Sequence, residues 1–258
     1  MITISVITCT YNAESTLRRT LESVERQSYR YVEHLIVDGC STDGTVAMAE
    51  DYRLRNVQSD GMHEVKVVSE PDNGLYDAMN KALAMAGGEY VVFLNSGDTF
   101  SSPDTLDLVA GAVGESEALP GVLYGETDIV DDEGQFVRHR RLSAPPSLNW
   151  RSFRKGMLVC HQSFYALRSV AIGCPYNLGY RYSADVDWCI RVMKKCEREG
   201  LMLRRVDAVL TNYLQGGMSV KNHRKSLVER FRVMTRHYGL LTTLWMHFIF
   251  AVRAVTKR

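Results

Sequence analysis

The feature that most limits the fold of this chain is an alternation in its first hundred residues. Short β-branched apolar runs at 2–10, 32–37, 65–69 and 90–94 are separated by segments with helical spacing. Runs of this length, apolar at nearly every position, read as strands buried on both faces. Between them, Leu17, Leu21 and Val24 recur at helical intervals. Ser41-Thr42-Asp43-Gly44-Thr45 reads as a turn and cap before a helix over 46–52, and Gly87-Gly88 closes a helix over 74–86. The order β-α-β-α-β-α-β predicts right-handed crossovers and a parallel sheet with helices on both faces.

Three of the runs stop at polar turns: Thr10-Tyr11-Asn12, Asp38-Gly39 and Asn95-Ser96-Gly97-Asp98. Open parallel sheets bind ligands just beyond the carboxyl ends of their strands. Polar groups from distant parts of the chain therefore converge on one crevice. Its acids, Asp38 and Asp98, suit a divalent cation and a ligand that carries phosphates.

After Asp98 the pattern changes. Ser102-Pro103-Asp104 caps a helix running to 113, and 122–130 with 135–140 form a hairpin around Asp131-Asp132-Glu133-Gly134. Pro145-Pro146 marks a loop, 159–167 a further strand and 185–198 a helix. The expected organisation is a nucleotide-binding half over 1–100, an acceptor half over 101–220, and a basic, amphipathic helical tail over 221–258, as one compact domain plus tail.

With 31 basic and 30 acidic residues the net charge is +1, which argues against a general nucleic-acid binder. The six cysteines form no C-x-x-C pair, so a reduced chain is expected rather than a disulfide framework or zinc site. The start lacks a basic n-region, and no run of about 20 apolar residues would span a bilayer. A cytoplasmic location is expected.

Four segments in this order carry a resemblance. They are Ile7-Thr8-Cys9-Thr10-Tyr11-Asn12, Val37-Asp38-Gly39-Cys40-Ser41-Thr42-Asp43-Gly44-Thr45, Gly88-Glu89-Tyr90-Val91-Val92-Phe93-Leu94-Asn95-Ser96-Gly97-Asp98, and Ser183-Ala184-Asp185-Val186-Asp187-Trp188. Together they resemble the family 2 glycosyltransferases, which have the GT-A fold: an α/β, Rossmann-like, mostly parallel sheet with helices on both faces and a mixed acceptor-side half. Glu70-Pro71-Asp72-Asn73-Gly74-Leu75-Tyr76-Asp77-Ala78-Met79-Asn80-Lys81 and Gly216-Gly217-Met218-Ser219 resemble the branch that builds bacterial surface polysaccharides, colanic-acid-type enzymes included.

The resemblance implies a nucleotide-diphosphate sugar donor, Mg²⁺ or Mn²⁺, and a glycan or polyprenyl-diphosphate-linked sugar as acceptor. Thr10 and Tyr11 end the first strand, where a tyrosine ring can pack on a nucleobase or simply fill the strand–helix elbow. Asp38 aligns with an acceptor for the base, or caps its turn. Asn73-Gly74 before a helix can place N–H groups near an anion. Asp77 and Asn80 lie three apart on one helical face. The family's usual helix arginine is missing here, replaced by Ala78-Met79, so the diphosphate must be neutralised elsewhere. Asp98 occupies the final position of the family's D-x-D-type loop and is implied to hold the cation. Asn95, uncharged where the family has an acid, is assigned to the ribose or sugar. Asp185 aligns with the aspartate of the family's E-D motif and is implied to be the catalytic base; as a residue at a helix start it could equally be a cap. Asp187 is the rival, on another side of the same helix. His161 opens a His-Gln pair similar to one near the sugar site of this branch, or is a structural histidine.

Leu241, Leu244, Trp245, Phe248 and Val252 recur at helical spacing behind a basic stretch. Such a tail can lie along a membrane surface over 238–258, or pack on the domain or a second subunit in a homodimer. The Q-x-x-R-W motif and membrane spans of processive synthases are missing, so one sugar per acceptor is expected. The rival readings are a sugar nucleotidyltransferase and a degenerate, non-catalytic sugar-nucleotide-binding module. The first lacks its Gly-rich phosphate loop after the first strand; Asn95 and Ala184 are what keep the second open.

Overall fold

The computed structural model describes residues 1–58, 62–114, 118–216 and 222–256. The first half is the expected alternation: β1 (Ile4–Thr10), α1 (Glu14–Glu25), β2 (Val32–Asp38), α2 (Thr45–Gln58), β3 (Glu64–Ser69), α3 (Leu75–Met85) and β4 (Tyr90–Phe93). β1 pairs in parallel with both β2 and β4, and β2 with β3. Every residue of β1 and β2 is buried, because alternate side chains enter two different helical layers. Ile7 and Cys9 pack beneath α3, whereas Ile4 and Val6 pack with Val24 of α1.

The second half comprises β5 (Thr99–Phe100), α4 (Thr105–Gly111), β6 (Val122–Val130), β7 (Phe136–His139), β8 (Phe164–Leu167), α5 (Arg168–Ile172), α6 (Ala184–Glu199), β9 (Leu203–Leu214), α7 (His223–Tyr238) and α8 (Leu240–Thr256). Among the described residues one sheet runs β3-β2-β1-β4-β8-β6-β9-β5, with β7 paired to β6. β8 enters antiparallel to β4, and β9 runs parallel to β6. This is the expected α/β architecture, a parallel half joined to a mixed half.

Two local expectations change. Residues 159–167 are not one strand: His161–Ser163 form a 3-10 turn and only Phe164–Leu167 pair in the sheet. The turn aims the side chains of His161 and Gln162 at the ends of other strands, which an extended chain would send to opposite faces. The helix after Ser102-Pro103-Asp104 is also shorter than expected, ending at Gly111.

The larger core joins α3, α5 and α6 to one face of the sheet. At its centre Trp188 stacks on Tyr176 (5.1 Å between centroids), which stacks on Tyr76 (5.4 Å). Phe93 and Phe164 meet Trp188 edge-on. This column joins α3, which carries Tyr76, to the start of α6, which carries Asp185.

Candidate active site

The crevice forms where β1 has a forward neighbour on one side and a later strand on the other. At that switch point the carboxyl ends of β1, β2 and β4 lie side by side. Their three polar termini behave differently.

Asp38, at the end of β2, is 1% exposed, and both its oxygens are engaged. Thr10 Oγ1 (2.9 Å) and Ser41 Oγ (2.5 Å) donate to Oδ1; the Ser41 N–H (2.8 Å) and Ser69 Oγ (2.9 Å) donate to Oδ2. Burial alone would raise this carboxyl, but the Ser41, Ser69 and Thr10 bonds outweigh it and hold the group below its ordinary value. Four donors fill the acceptor capacity of a carboxylate. Asp38 therefore ties β1, β2 and β3 together, and Thr10 spends its hydroxyl on the same task. Tyr11, next along the chain, is 67% exposed and leaves its ring face open.

At the start of α3, Asp77 accepts hydrogen bonds from the Asn73 N–H (2.9 Å) and Asn73 Nδ2 (3.1 Å), and the Gly74 N–H is taken by Asp72 (2.7 Å). Asn80 is engaged at both ends of its amide, Nδ2 donating to the Tyr176 carbonyl (3.0 Å) and Oδ1 accepting from its N–H (2.6 Å). The structure thus pairs Asn73 with Asp77, and sets Asn80 to fix the chain that carries the central stacked tyrosine.

Beyond β4 the remaining site residues come together. Asp98 is 3% exposed. Gln162 Nε2 donates to its Oδ2 (2.8 Å) and the Leu214 N–H to its Oδ1 (2.9 Å). Burial raises its pKa to about 6, against the lowering by those two donors. One residue before Gln162, His161 Nε2 lies 3.2 Å from Asn95 Nδ2. An amide nitrogen only donates, so Nε2 accepts and the imidazole proton sits on Nδ1. Nδ1 faces Asp185 Oδ2 at 3.4 Å, a close polar contact short of an aligned hydrogen bond. Asp98, Asn95 and Asp185 thus meet across the single turn at His161-Gln162.

Asp185, in the first turn of α6, keeps 19% of its side chain exposed. Tyr76 Oη approaches Oδ1 at 3.5 Å. Burial would raise the Asp185 carboxyl; His161 and the charge of Arg230 outweigh it, so the group lies below its ordinary value and is ionised at neutral pH. Asp187 is different: fully buried, it binds Arg191 Nε (2.6 Å) and His237 Nε2 (2.8 Å) and ties α6 to α7. No side-chain cap closes the start of α6. Glu229 of α7 does that work, accepting from the N–H groups of Arg181 (2.9 Å), Tyr182 (2.6 Å) and Ser183 (3.1 Å).

The sequence marks Gln162 only as the second member of the His-Gln pair and does not mark Glu229 as a site residue. Glu229 did carry a signal, as the lone acid among the nine basic residues of 221–258. Gly217, Met218 and Ser219, part of the segment that resembles the surface-polysaccharide branch, lie outside the described residues. A groove of about 500 Å³ lined by Thr16, Arg18, Arg19, Glu22 and Ser101 includes none of the residues assigned above.

Among the described residues, no group of three or more His, Cys, Asp or Glu side chains is arranged to hold a metal ion. The donor set nevertheless fits a cation completed by a ligand. Asp98 has used two of roughly four acceptor directions. Asn95 Oδ1, buried without a partner, is left for a ribose or sugar hydroxyl of that ligand rather than for the cation. Mg²⁺-type ions commonly take one or two protein carboxylates and fill the shell with phosphate oxygens and water.

An open α/β sheet with an acidic switch-point crevice, and a second acid across it at a helix start, defines a group-transfer enzyme fold of the GT-A type. The chain belongs to glycosyl transferase family 2, whose model matches residues 5–174. A PGL/p-HBAD biosynthesis glycosyltransferase of Mycobacterium bovis is 32% identical over 236 residues, covering 90% of this chain and 85% of the relative. The putative teichuronic acid biosynthesis glycosyltransferase TuaG of Bacillus subtilis is 42% identical over 95 residues, 37% of this chain and 36% of the relative. Among solved structures, S. aureus TarS 1-349 in complex with UDP-GlcNAc superposes with a TM-score of 0.69 at 18% identity, covering 96% of this chain and 73% of that one. The mannosyltransferase PcManGT of Pyrobaculum calidifontis, in complex with GDP-Man and Mn²⁺, gives 0.60 at 18% identity, with 95% and 70% covered. At such identities the structural likeness establishes the fold.

Proposed function

We propose that this glycosyltransferase is an inverting, non-processive enzyme that moves a hexosyl group from a nucleotide-diphosphate sugar to a hydroxyl of a lipid-linked glycan in bacterial surface-polysaccharide synthesis. The observation that carries the reading is the placing of two acids, 87 residues apart in sequence, on the two sides of the His161-Gln162 turn. The nucleotide-sugar and Mn²⁺ complexes of its structural neighbours support the donor and the cation, and the teichuronic acid biosynthesis in the name of one relative supports the polysaccharide pathway. Among the described residues no helix is long and apolar enough to cross a membrane, which is consistent with work at the cytoplasmic face.

In this reading Tyr11 offers its exposed ring to the base, and Thr10 and Asp38 shape the floor on which the base rests. Asn95 Oδ1 accepts from a ribose or sugar hydroxyl. Asp98 holds Mg²⁺ or Mn²⁺, which when bound neutralises charge on the departing diphosphate. Gln162 and the Leu214 N–H fix the Asp98 carboxylate in place. Asp185 takes the proton of the acceptor hydroxyl as that oxygen bonds to the anomeric carbon. The carbon–oxygen bond to the diphosphate breaks on the opposite face, and its electron pair leaves with the nucleotide. His161, with its proton on Nδ1, holds Asp185 charged and oriented until the transfer. A single displacement inverts the anomeric centre.

The stereochemistry tests this directly. Proton NMR of a freshly formed product is expected to show the anomeric configuration opposite to that of the donor. Retention would overturn the single-displacement reading.

A further inference from the structure

We propose that α7 and α8 form a docking surface for an anionic lipid bilayer. The charge of this chain is polarised. Residues 221–258 hold nine Lys and Arg against one acid, a net +8, which leaves the other 220 residues at −7. A molecule charged in this way meets an anionic surface tail first, and its acidic body is repelled from the same surface.

The helices provide the matching chemistry. α7 and α8 turn on Gly239 (φ +81°) into a hairpin, with the Phe231 ring against His247 (5.1 Å between centroids). Lys225, Arg232 and Arg236 lie on one exposed stripe of α7, at spacings of seven and four. On α8, Leu241 (83% exposed), Leu244, Trp245 (62%), Phe248 (60%) and Val252 form an apolar stripe, with Trp245 stacked on Phe248. No charged side chain falls between Leu240 and Val252. A basic stripe on one helix and an exposed apolar, aromatic stripe on the next helix of the same hairpin supply the two chemistries of a segment lying in the headgroup plane.

Length points the same way. Among the described residues no helix, α8 included, is long and apolar enough to cross a membrane, and α8 is read as lying along the bilayer. A second copy of the chain is a poorer occupant, because a two-fold contact through these helices would bring two +8 segments together. The hairpin also touches the site: Glu229 closes the loop before α6 and His237 pairs with Asp187. A bilayer beneath it would set the height of the crevice over the lipid.

Co-sedimentation of the full chain with vesicles tests the proposal without any sugar transfer, so its outcome is separate from that of the catalytic reading. Binding is expected to vesicles of phosphatidylcholine mixed with phosphatidylglycerol, to weaken as salt rises, and to be slight on phosphatidylcholine alone. Arg232→Gln with Arg236→Gln should lower the partition coefficient roughly twenty-fivefold, at roughly fivefold per basic residue. Trp245→Ser with Phe248→Ser should remove binding, while thermal melting confirms that each variant is folded. No binding, or equal binding to neutral and anionic vesicles, would overturn the proposal. So would a dimer in sedimentation velocity that these same substitutions dissociate.

Discussion

Replacing Asp98 with Asn is expected to stabilise the metal-free protein at neutral pH while disabling transfer. The buried carboxyl is raised from 3.8 to about 6. The native state therefore binds a proton in a window where the unfolded chain has released it. Stability is highest below pH 3.8, falls as pH rises through about 6, and is flat above. The total loss is about 3 kcal/mol, from 1.36 kcal/mol per unit. Asn escapes this loss. Its oxygen still accepts from the Leu214 N–H, but its amide nitrogen meets Gln162 Nε2, so Gln162 must turn and give up its contact with Cys160 Sγ. That exchange costs about 1 kcal/mol. The net expectation at pH 7.5 in EDTA is a gain of about 2 kcal/mol, or a melting temperature higher by about 4 to 8 °C. Melting curves of both proteins from pH 4 to 8 provide the assay, and the difference between them cancels every other titrating group. A difference that does not change with pH would refute the reasoning, since it would mean that Asp98 is not held at a burial cost. Donor with Mn²⁺ should raise the melting point of the wild type and leave Asp98→Asn nearly unmoved.

Three further outcomes are expected. His34, buried between Thr8 and Tyr52, is lowered to about 3 chiefly by burial, so its stabilising neutrality is lost as pH falls below 6.5; its own contribution to the unfolding free energy should drop by about 2 kcal/mol between pH 6.5 and 5, against the opposite slope from Asp98, and is read as the difference between wild type and His34→Gln in urea titrations at the two pH values. Glu229→Ala frees three N–H groups ahead of α6; kcat should fall roughly tenfold to a hundredfold with donor KM unchanged, through misplacement of Asp185. Trp188→Ala should cost about 3 to 5 kcal/mol in denaturant titration, whereas Trp188→Phe should cost much less, because the indole N–H has no partner to lose.

Much of this arrangement is written locally in the chain. Strand runs ending in polar turns predict the parallel half, and the N-S-G-D turn predicts where Asp98 stands. The spacing of Asp185 and Asp187 already separates them on α6, and the structure gives Asp187 to Arg191 and His237. What stays hidden depends on partners distant in sequence. β9, with Arg204, Arg205 and Asp207 among its apolar residues, carries no clean alternation; it is a strand because β6 and β5 flank it. Yet its last N–H, from Leu214, grips Asp98 across 116 residues. Asp38 reads as an open acceptor at a strand end, and only the fold brings Thr10, Ser41 and Ser69 to its two oxygens. Gln162 lies in a segment that reads as a strand, and its hold on Asp98 exists because the chain turns there instead.

The most direct measurement is single-turnover transfer by Asp185→Asn, with donor affinity determined on the same preparation. Loss of the chemical step by roughly a hundredfold to ten-thousandfold, with donor and Mn²⁺ bound as in the wild type, is the predicted result. A transfer rate close to that of the wild type would contradict the placing of the proton on Asp185.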